Sequence, residues 1–292
     1  MPEDALDALK LLLASHERRI DLSEFFSAVT IEAIGRLTPE AFPMGVQPTE
    51  ESVRERVERY EGVLDPLLRP LFMGAYCSDL PDHVRIWSRC LKRLIEAAGD
   101  QPTGQVFTIW DQMRYYPGLL GLYAVGVGAI AGGSPDIVAC LLSELHFDNE
   151  LLRSTRNAIE PAASLLLPAA QPAATSSWLQ QHLSGLAEGL VAPDQLTVAL
   201  DQFEYSVGLL LADEALGADL DGPLYLQPAG WWYRQRPPTP WSHPEACMTG
   251  PAAKHWLASG FFSASPERLD EVKVRYDAWV AQERMRSRLG YR

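Results

Sequence analysis

Residues 115–135 read YYPGLLGLYAVGVGAIAGGSP, with five glycines from Gly118 to Gly132 and no charged side chain in the run. Three structures fit such a stretch: a membrane-spanning helix, a buried helix whose glycines admit close neighbours, or a glycine loop around a ligand. Boundaries inside the run separate them. Pro117 interrupts a helical ladder near the start, and Gly132-Gly133-Ser134-Pro135 ends it, with Ser134 placed as N-cap and Pro135 at the first position of the next helix. Gly118–Ala131 is then fourteen residues, about 21 Å at ~1.5 Å per residue, against the ~30 Å of a bilayer core. The glycine spacing GVGAIAG departs from a dinucleotide fingerprint and follows no strand, whereas Gly128-Ala-Ile-Ala-Gly132 has the small-xxx-small form that lets backbones approach. The expectation is a buried central helix, with no membrane span.

Helix signals dominate on the N-terminal side. Ala5–Ile20 spaces Leu6, Leu9, Leu12 and Leu13 three and four apart, and Asp21 with Glu24 has capping-box form, opening a second helix through Leu37. Residues 38–49 carry Pro39, Pro43, Gly45 and Pro48 and read as a long loop, with the next helix starting near Thr49. Its first half, EESVRERVERYEGVL, is a solvated charged face around a narrow stripe of Val53, Val57 and Tyr60, and Pro66 and Pro70 are expected to bend or end it. Asp82–Ala98 turns Val84, Trp87, Leu91, Leu94 and Ile95 inward, with Gly99 at the C-cap. A short helix over 106–116 precedes the central run, and Asp136–Glu144 packs back on it as a hairpin.

Composition changes most clearly at 161–177, PAASLLLPAAQPAATSS, read as a linker or surface loop between an N-terminal half, 1–160, and a C-terminal half, 178–292. Trp178–Leu190 and Asp194–Ala215 are helices, the second with Asp194 as N-cap and Leu196, Leu200, Phe203, Val207, Leu210 and Leu211 inward. Six prolines interrupt the loop 218–250, where Leu224-Tyr225-Leu226 is one short extended piece. Ser265-Pro266-Glu267 opens a last helix to about Leu289, whose basic end, Arg284, Arg286, Arg288 and Arg292, complements the helix dipole. The expected fold is all-α, an irregular bundle of about ten helices in two packed halves, with a Pro/Trp-rich loop region near the C-terminus.

Composition narrows the function classes. With 292 residues, 47% hydrophobic and 22% charged, the chain has ample material for a core. A formal charge of −13 repels phosphate backbones and anionic bilayers at long range, so general nucleic-acid binding is not expected. Cys77, Cys90, Cys140 and Cys247 form no CxxC pair, and the opening Pro2-Glu3-Asp4 is acidic rather than a secretory leader. Buried free thiols in a reducing cytoplasm follow. The six histidines are dispersed, and His243, Cys247 and His255 lack a matching second pair, so no metal is expected. No GxSxG elbow and no Gly-Lys-Ser/Thr phosphate loop occurs, so neither a nucleophile nor a cofactor is assigned.

One cluster has the chemistry of a contact site. Trp231, Trp232, Tyr233, Arg234 and Arg236, closed by Trp241 and His243, interleave aromatic faces with guanidinium groups, which suits stacking or clamping an anion. The same residues also suit a proline-braced loop laid over the bundle. Asp213 with Glu214, and Asp219 with Asp221, are carboxylate pairs read as solvated caps.

The stretch from Arg114 through Gly132, continuing over Val138–Leu142, resembles helical regions that accompany the effector or NTPase domains of prokaryotic, antiphage-type defence proteins. That resemblance implies a sensor or interaction module whose enzymatic activity resides in another domain. It covers about thirty residues, carries no functional residue across, and is joined here by no Walker loop or nuclease motif. The expected function is accordingly a non-catalytic interaction or regulatory module. Its partner is a protein or the other domains of a parent protein, and homo-oligomerisation is compatible with it. The alternatives are an enzyme using Trp231, Tyr233, Arg234 and His243 on a small anionic substrate between the two halves, and a membrane-inserting effector.

Overall fold

Tyr116–Ala131 forms one helix, and every one of its residues is buried. The computed structural model describes residues 3–78, 81–99, 107–145, 173–217 and 243–288. Within them the chain forms α1 (Glu3–Leu13), α2 (Arg19–Gly35), α3 (Glu50–Tyr76), α4 (Pro81–Gly99), α5 (Thr108–Met113), α6 (Tyr116–Ala131) and α7 (Pro135–Glu144). There follow α8 (Ala173–Ala187), α9 (Pro193–Gly217), α10 (Gly250–Ala258) and α11 (Pro266–Arg288), with short 3-10 turns at His16–Arg18, Pro244–Met248 and Phe261–Ala264. The fold is all-α, a packed multi-helix bundle with no strand among the described residues.

The glycines of α6 are spent on three neighbours. A Cβ on Gly128 would lie 2.6 Å from the carbonyl oxygen of Phe72, and one on Gly132 would collide with that of Tyr76, so α3 and α6 meet backbone to backbone. Gly121 faces Leu91 of α4, and Gly126 lies under the Phe203 ring of α9. α6 therefore sits between α3 and α4 on one side and α9 on the other, and buried residues from before and after 146–172 belong to a single core. The small-xxx-small spacing has the physical meaning expected of it. Pro117 differs from expectation. It lies in the first turn of α6, where the missing N–H costs nothing, so the helix has sixteen residues. That is still about 24 Å, and no helix among the described residues is long and apolar enough to cross a membrane.

α3 departs further. It runs 27 residues to Tyr76 with Pro66 and Pro70 inside it, rather than ending there. A proline in a helix interior costs about 3 kcal/mol. Opposing that, Leu64, Leu67, Leu68, Leu71 and Phe72 are fully buried, each contributing about 1.5–3 kcal/mol. Packing on α6 outweighs the two lost hydrogen bonds. α3 starts next to Thr49 as expected, and Thr49 caps it in a reciprocal capping box with Ser52.

Other boundaries move for similar reasons. The first predicted helix, Ala5–Ile20, divides: α1 stops at Leu13 and α2 begins at Arg19, so the Asp21/Glu24 capping box does not form and Asp21 instead pairs with Arg18 at 3.0 Å. The start of α2 follows its buried stripe Leu22, Phe26, Thr30 and Ala33. α9 starts at Pro193, which puts Asp194 in the first turn rather than at the cap. Residues 173–177 of the predicted linker belong to α8, and 161–172 lie outside the described residues, as does Leu224-Tyr225-Leu226. Ser134 occupies the N-cap of α7, but its hydroxyl donates to the Ser78 carbonyl at 3.2 Å. Ser265 does cap α11, accepting from the Arg268 amide at 3.2 Å.

The 38–49 loop is non-helical as expected, and it is pinned. Phe42 stacks on Tyr60 at 4.1 Å, the Trp110 indole donates to the Val46 carbonyl at 2.6 Å, and the buried Arg56 guanidinium lies 4.0 Å over the Trp110 ring while donating to the Pro43 carbonyl.

Candidate functional site

Trp231, Trp232, Tyr233, Arg234, Arg236 and Trp241 lie outside the described residues, so of the predicted cluster only His243 has a described position. It is exposed, with Nδ1 3.5 Å from Glu245. Its carbonyl accepts from the Gln202 side chain at 3.4 Å. That bond anchors it beside the middle of α9, next in sequence to the buried Asp201 and near the buried Glu204. Among the described residues no group of three or more His, Cys, Asp or Glu side chains has the geometry to hold a metal ion.

None of the four thiols is tuned as a nucleophile. Burial raises the thiols of Cys77, Cys90 and Cys140, and pushes Cys247 up to about 12 although Ser206 hydrogen-bonds it at 3.0 Å. A nucleophilic cysteine is tuned the opposite way.

Two carboxylates occupy places that the sequence pattern did not reveal. Glu204, on α9, accepts from the Tyr123 hydroxyl of α6 at 3.0 Å, and burial together with that carboxylate raises the phenol far above its ordinary range. Glu61, assigned to the solvated face of α3, is partly buried and accepts from the Tyr116 hydroxyl at 3.2 Å, with His182 Nδ1 at 3.6 Å. An acidic residue falling on an apolar helical stripe, as Glu204 does one turn after Leu200, is the sequence signal that would have found the first. No comparable signal marks Glu61.

Burial pushes Glu61 up to about 7, against the Tyr116 hydrogen bond and with help from Glu58, while burial lowers His182 against the pull of Asp65. An unfolded glutamate ionises near ~4.3. Protonated Glu61 thus stabilises the fold fully below that pH, and the contribution is lost as pH rises through about 7. His182 has the opposite sign: its contribution is present above ~6.5 and lost as pH falls. Glu61→Gln should therefore raise stability at pH 8 by about 1–2 kcal/mol after discounting for residual exposure, or about 2–3 °C in Tm, and leave it nearly unchanged at pH 4. Thermal melts at both pH values check this; an equal shift at both would show that ionisation is not the cause.

A cleft among the described residues lies elsewhere, between α2 and α4. It holds about 270 Å³ and is lined by Arg19, Ile20, Ser23, Glu24, Arg85, Ile86 and Arg89. Farther along the same helices Arg93 donates to Ser27 at 2.8 Å, so α2 and α4 run the same way and bring their N-terminal halves together at the cleft. Arg85, Arg89 and Arg93 follow one another at four-residue spacing, which places them on one face of α4. Arg85 reaches Glu144 only at 3.6 Å, and Arg89 makes no hydrogen bond or ion pair among the described residues. Beside these arginines α2 exposes Ile20 at 69% and Ile31 at 61%. Eleven residues apart, they share one face of the helix about 16 Å from each other. On that outward face the two isoleucines are separated by Ser23, Glu24 and Ser27, while the buried stripe occupies the opposite side.

Comparison with protein-family models, curated proteins and solved structures finds no match for this chain.

Proposed function

We propose that the chain is a non-catalytic interaction module, the sensing or regulatory portion of a larger protein or complex, and that it makes contact through the outward face of α2 and the adjoining face of α4. The observation that carries this reading is the pair of exposed isoleucines on α2, Ile20 and Ile31, set beside a cleft lined by Arg19, Arg85 and Arg89. Arginine is among the residues that interface centres favour. The raised cysteines weigh against a thiolate nucleophile, though not against other chemistry. The setting we propose is cytoplasmic and prokaryotic, as the likeness of residues 114–142 to helical parts of antiphage defence proteins implies.

Amine cross-linking with mass spectrometry, on protein purified under native conditions from the cells that encode it, tests the reading. Lys10 of α1 and Lys92 of α4 should cross-link to one and the same other polypeptide, and Ile31→Asp should abolish those links while leaving Tm unchanged. A strictly monomeric wild-type protein, or links indifferent to Ile31→Asp, overturns it.

A further inference from the structure

We propose that α8 is a latch that closes on α3 by proton exchange: seating the helix takes the proton from His182 and leaves one on Glu61, so that its docking is held constant against pH. The inference goes beyond the interaction reading and does not rest on it. α8 carries Leu179, Leu183 and Leu186 into the core beside α3, α6 and α9, and His182 is the one titratable side chain in its sequence. Docking sets that imidazole against Glu61, with Nδ1 3.6 Å from Oε1 and the two side chains 13% and 22% exposed.

Hydrogen-bond geometry fixes the charge of the docked pair. An imidazolium needs an acceptor at each ring nitrogen. Nε2 of His182 is buried with no partner among the described residues, and Nδ1 stands beyond hydrogen-bond distance of Glu61, so the neutral ring fits the site. Glu61 accepts from the Tyr116 hydroxyl of α6 at 3.2 Å, and its neighbours one turn to either side on α3, Glu58 and Asp65, are acidic. Arg69, two turns along α3, donates to the Glu188 carbonyl at 3.4 Å. α9 meets α8 through Thr197, which accepts from Gln180 at 2.8 Å, while its Asp194 is exposed and its Asp201 has an interaction of its own. A half-buried carboxyl among like charges, with no arginine or lysine against it among the described residues, fits the site protonated. The direction of each titration agrees: burial raises Glu61 to about 7, and burial lowers His182 although Asp65 pulls it the other way.

Peripheral helices open locally without unfolding the rest of a domain. When α8 leaves α3, water reaches both groups and they return toward ~4.3 and ~6.5. From about pH 5 to 6.5 the open state then holds its proton on His182 and the docked state holds one on Glu61. Equal proton counts give no slope, whereas a difference of one proton changes the opening constant about tenfold per pH unit.

The test is amide hydrogen exchange of the full chain from pH 5 to 8, read by mass spectrometry and corrected for intrinsic rates. Peptides from 179–187 report α8, and peptides from 116–131 mark global opening. We expect wild-type opening of α8 to change by less than about fivefold over this range. Glu61→Gln leaves His182 to act alone, and opening should increase up to about tenfold per unit as pH falls below ~6.5. His182→Gln leaves Glu61 alone, and opening should increase up to about tenfold per unit as pH rises toward about 7. The double variant should be flat. Without any substitution, carbon-13 shifts at pH 6 should show a protonated Glu61 carboxyl and a neutral His182 ring. A carboxylate beside an imidazolium at pH 6, single-variant slopes that are absent or of one sign, or a wild-type slope as steep as either variant's overturns the proposal. So does exchange of α8 in step with 116–131, because the whole fold is then what opens.

Discussion

Gly128→Leu is expected to leave no cooperative unfolding transition, and Gly128→Ala to lower stability by about 1–3 kcal/mol. The atom that a Cβ would strike is a backbone oxygen, that of Phe72, at 2.6 Å. A side chain in that place could rotate aside, but a carbonyl held in the buried α3 ladder can move only with its helix. Alanine's helix propensity favours the substitution by roughly 1 kcal/mol, too little to offset separating α3 from α6. Gly62, in the same α3, supplies the contrast: a Cβ there meets nothing within 4 Å. Gly62→Ala should stabilise by up to about 1 kcal/mol. Urea titrations of the two alanine variants should therefore shift in opposite directions. A Gly128→Ala protein as stable as wild type would mean that α3 and α6 are not in backbone contact.

Trp87→Ala should cost about 3–5 kcal/mol. The indole is fully buried, meets Phe26 edge-on at 4.7 Å, and covers Gly74, where a Cβ would stand 2.6 Å from its ring. It thereby ties α2, α3 and α4 together directly beneath the cleft residues Arg85, Ile86 and Arg89. Because the Gly74 contact involves the far end of the indole, the smaller ring of Trp87→Phe opens the space that Gly74→Ala fills. Each single variant should be destabilised, and the double variant should recover about 1–2 kcal/mol relative to the sum. Additivity in denaturant titrations would show that the two positions do not share a contact.

The helical class was legible because it rests on local periodicity. Leu196, Leu200, Phe203 and Val207 recur at helical spacing and are all buried, as are Val84, Trp87, Leu91 and Leu94. The cap Ser265, which depends only on neighbouring residues, was also legible, as was the start of α3 near Thr49. Boundaries that depend on a distant partner were not: α3 continues through Pro66 and Pro70 because α6 lies against it, and Phe262, Ser263 and Ala264 adopt left-handed φ of 54–55°, which no local preference would suggest. The cleft was hidden for a comparable reason. Arg19 and Arg89 are seventy residues apart, and only the pairing of α2 with α4 makes them neighbours.

The sequence alone determined that the 115–135 run is a helix too short to span a bilayer, since prolines, glycines and charge are properties of the chain itself. Tertiary structure decided what its glycines are for. Gly121, Gly126 and Gly128 look alike along the chain, yet they admit a leucine of α4, an aromatic ring of α9 and the bare backbone of α3. A missing Cβ announces that something comes close, and only packing in three dimensions determines what does.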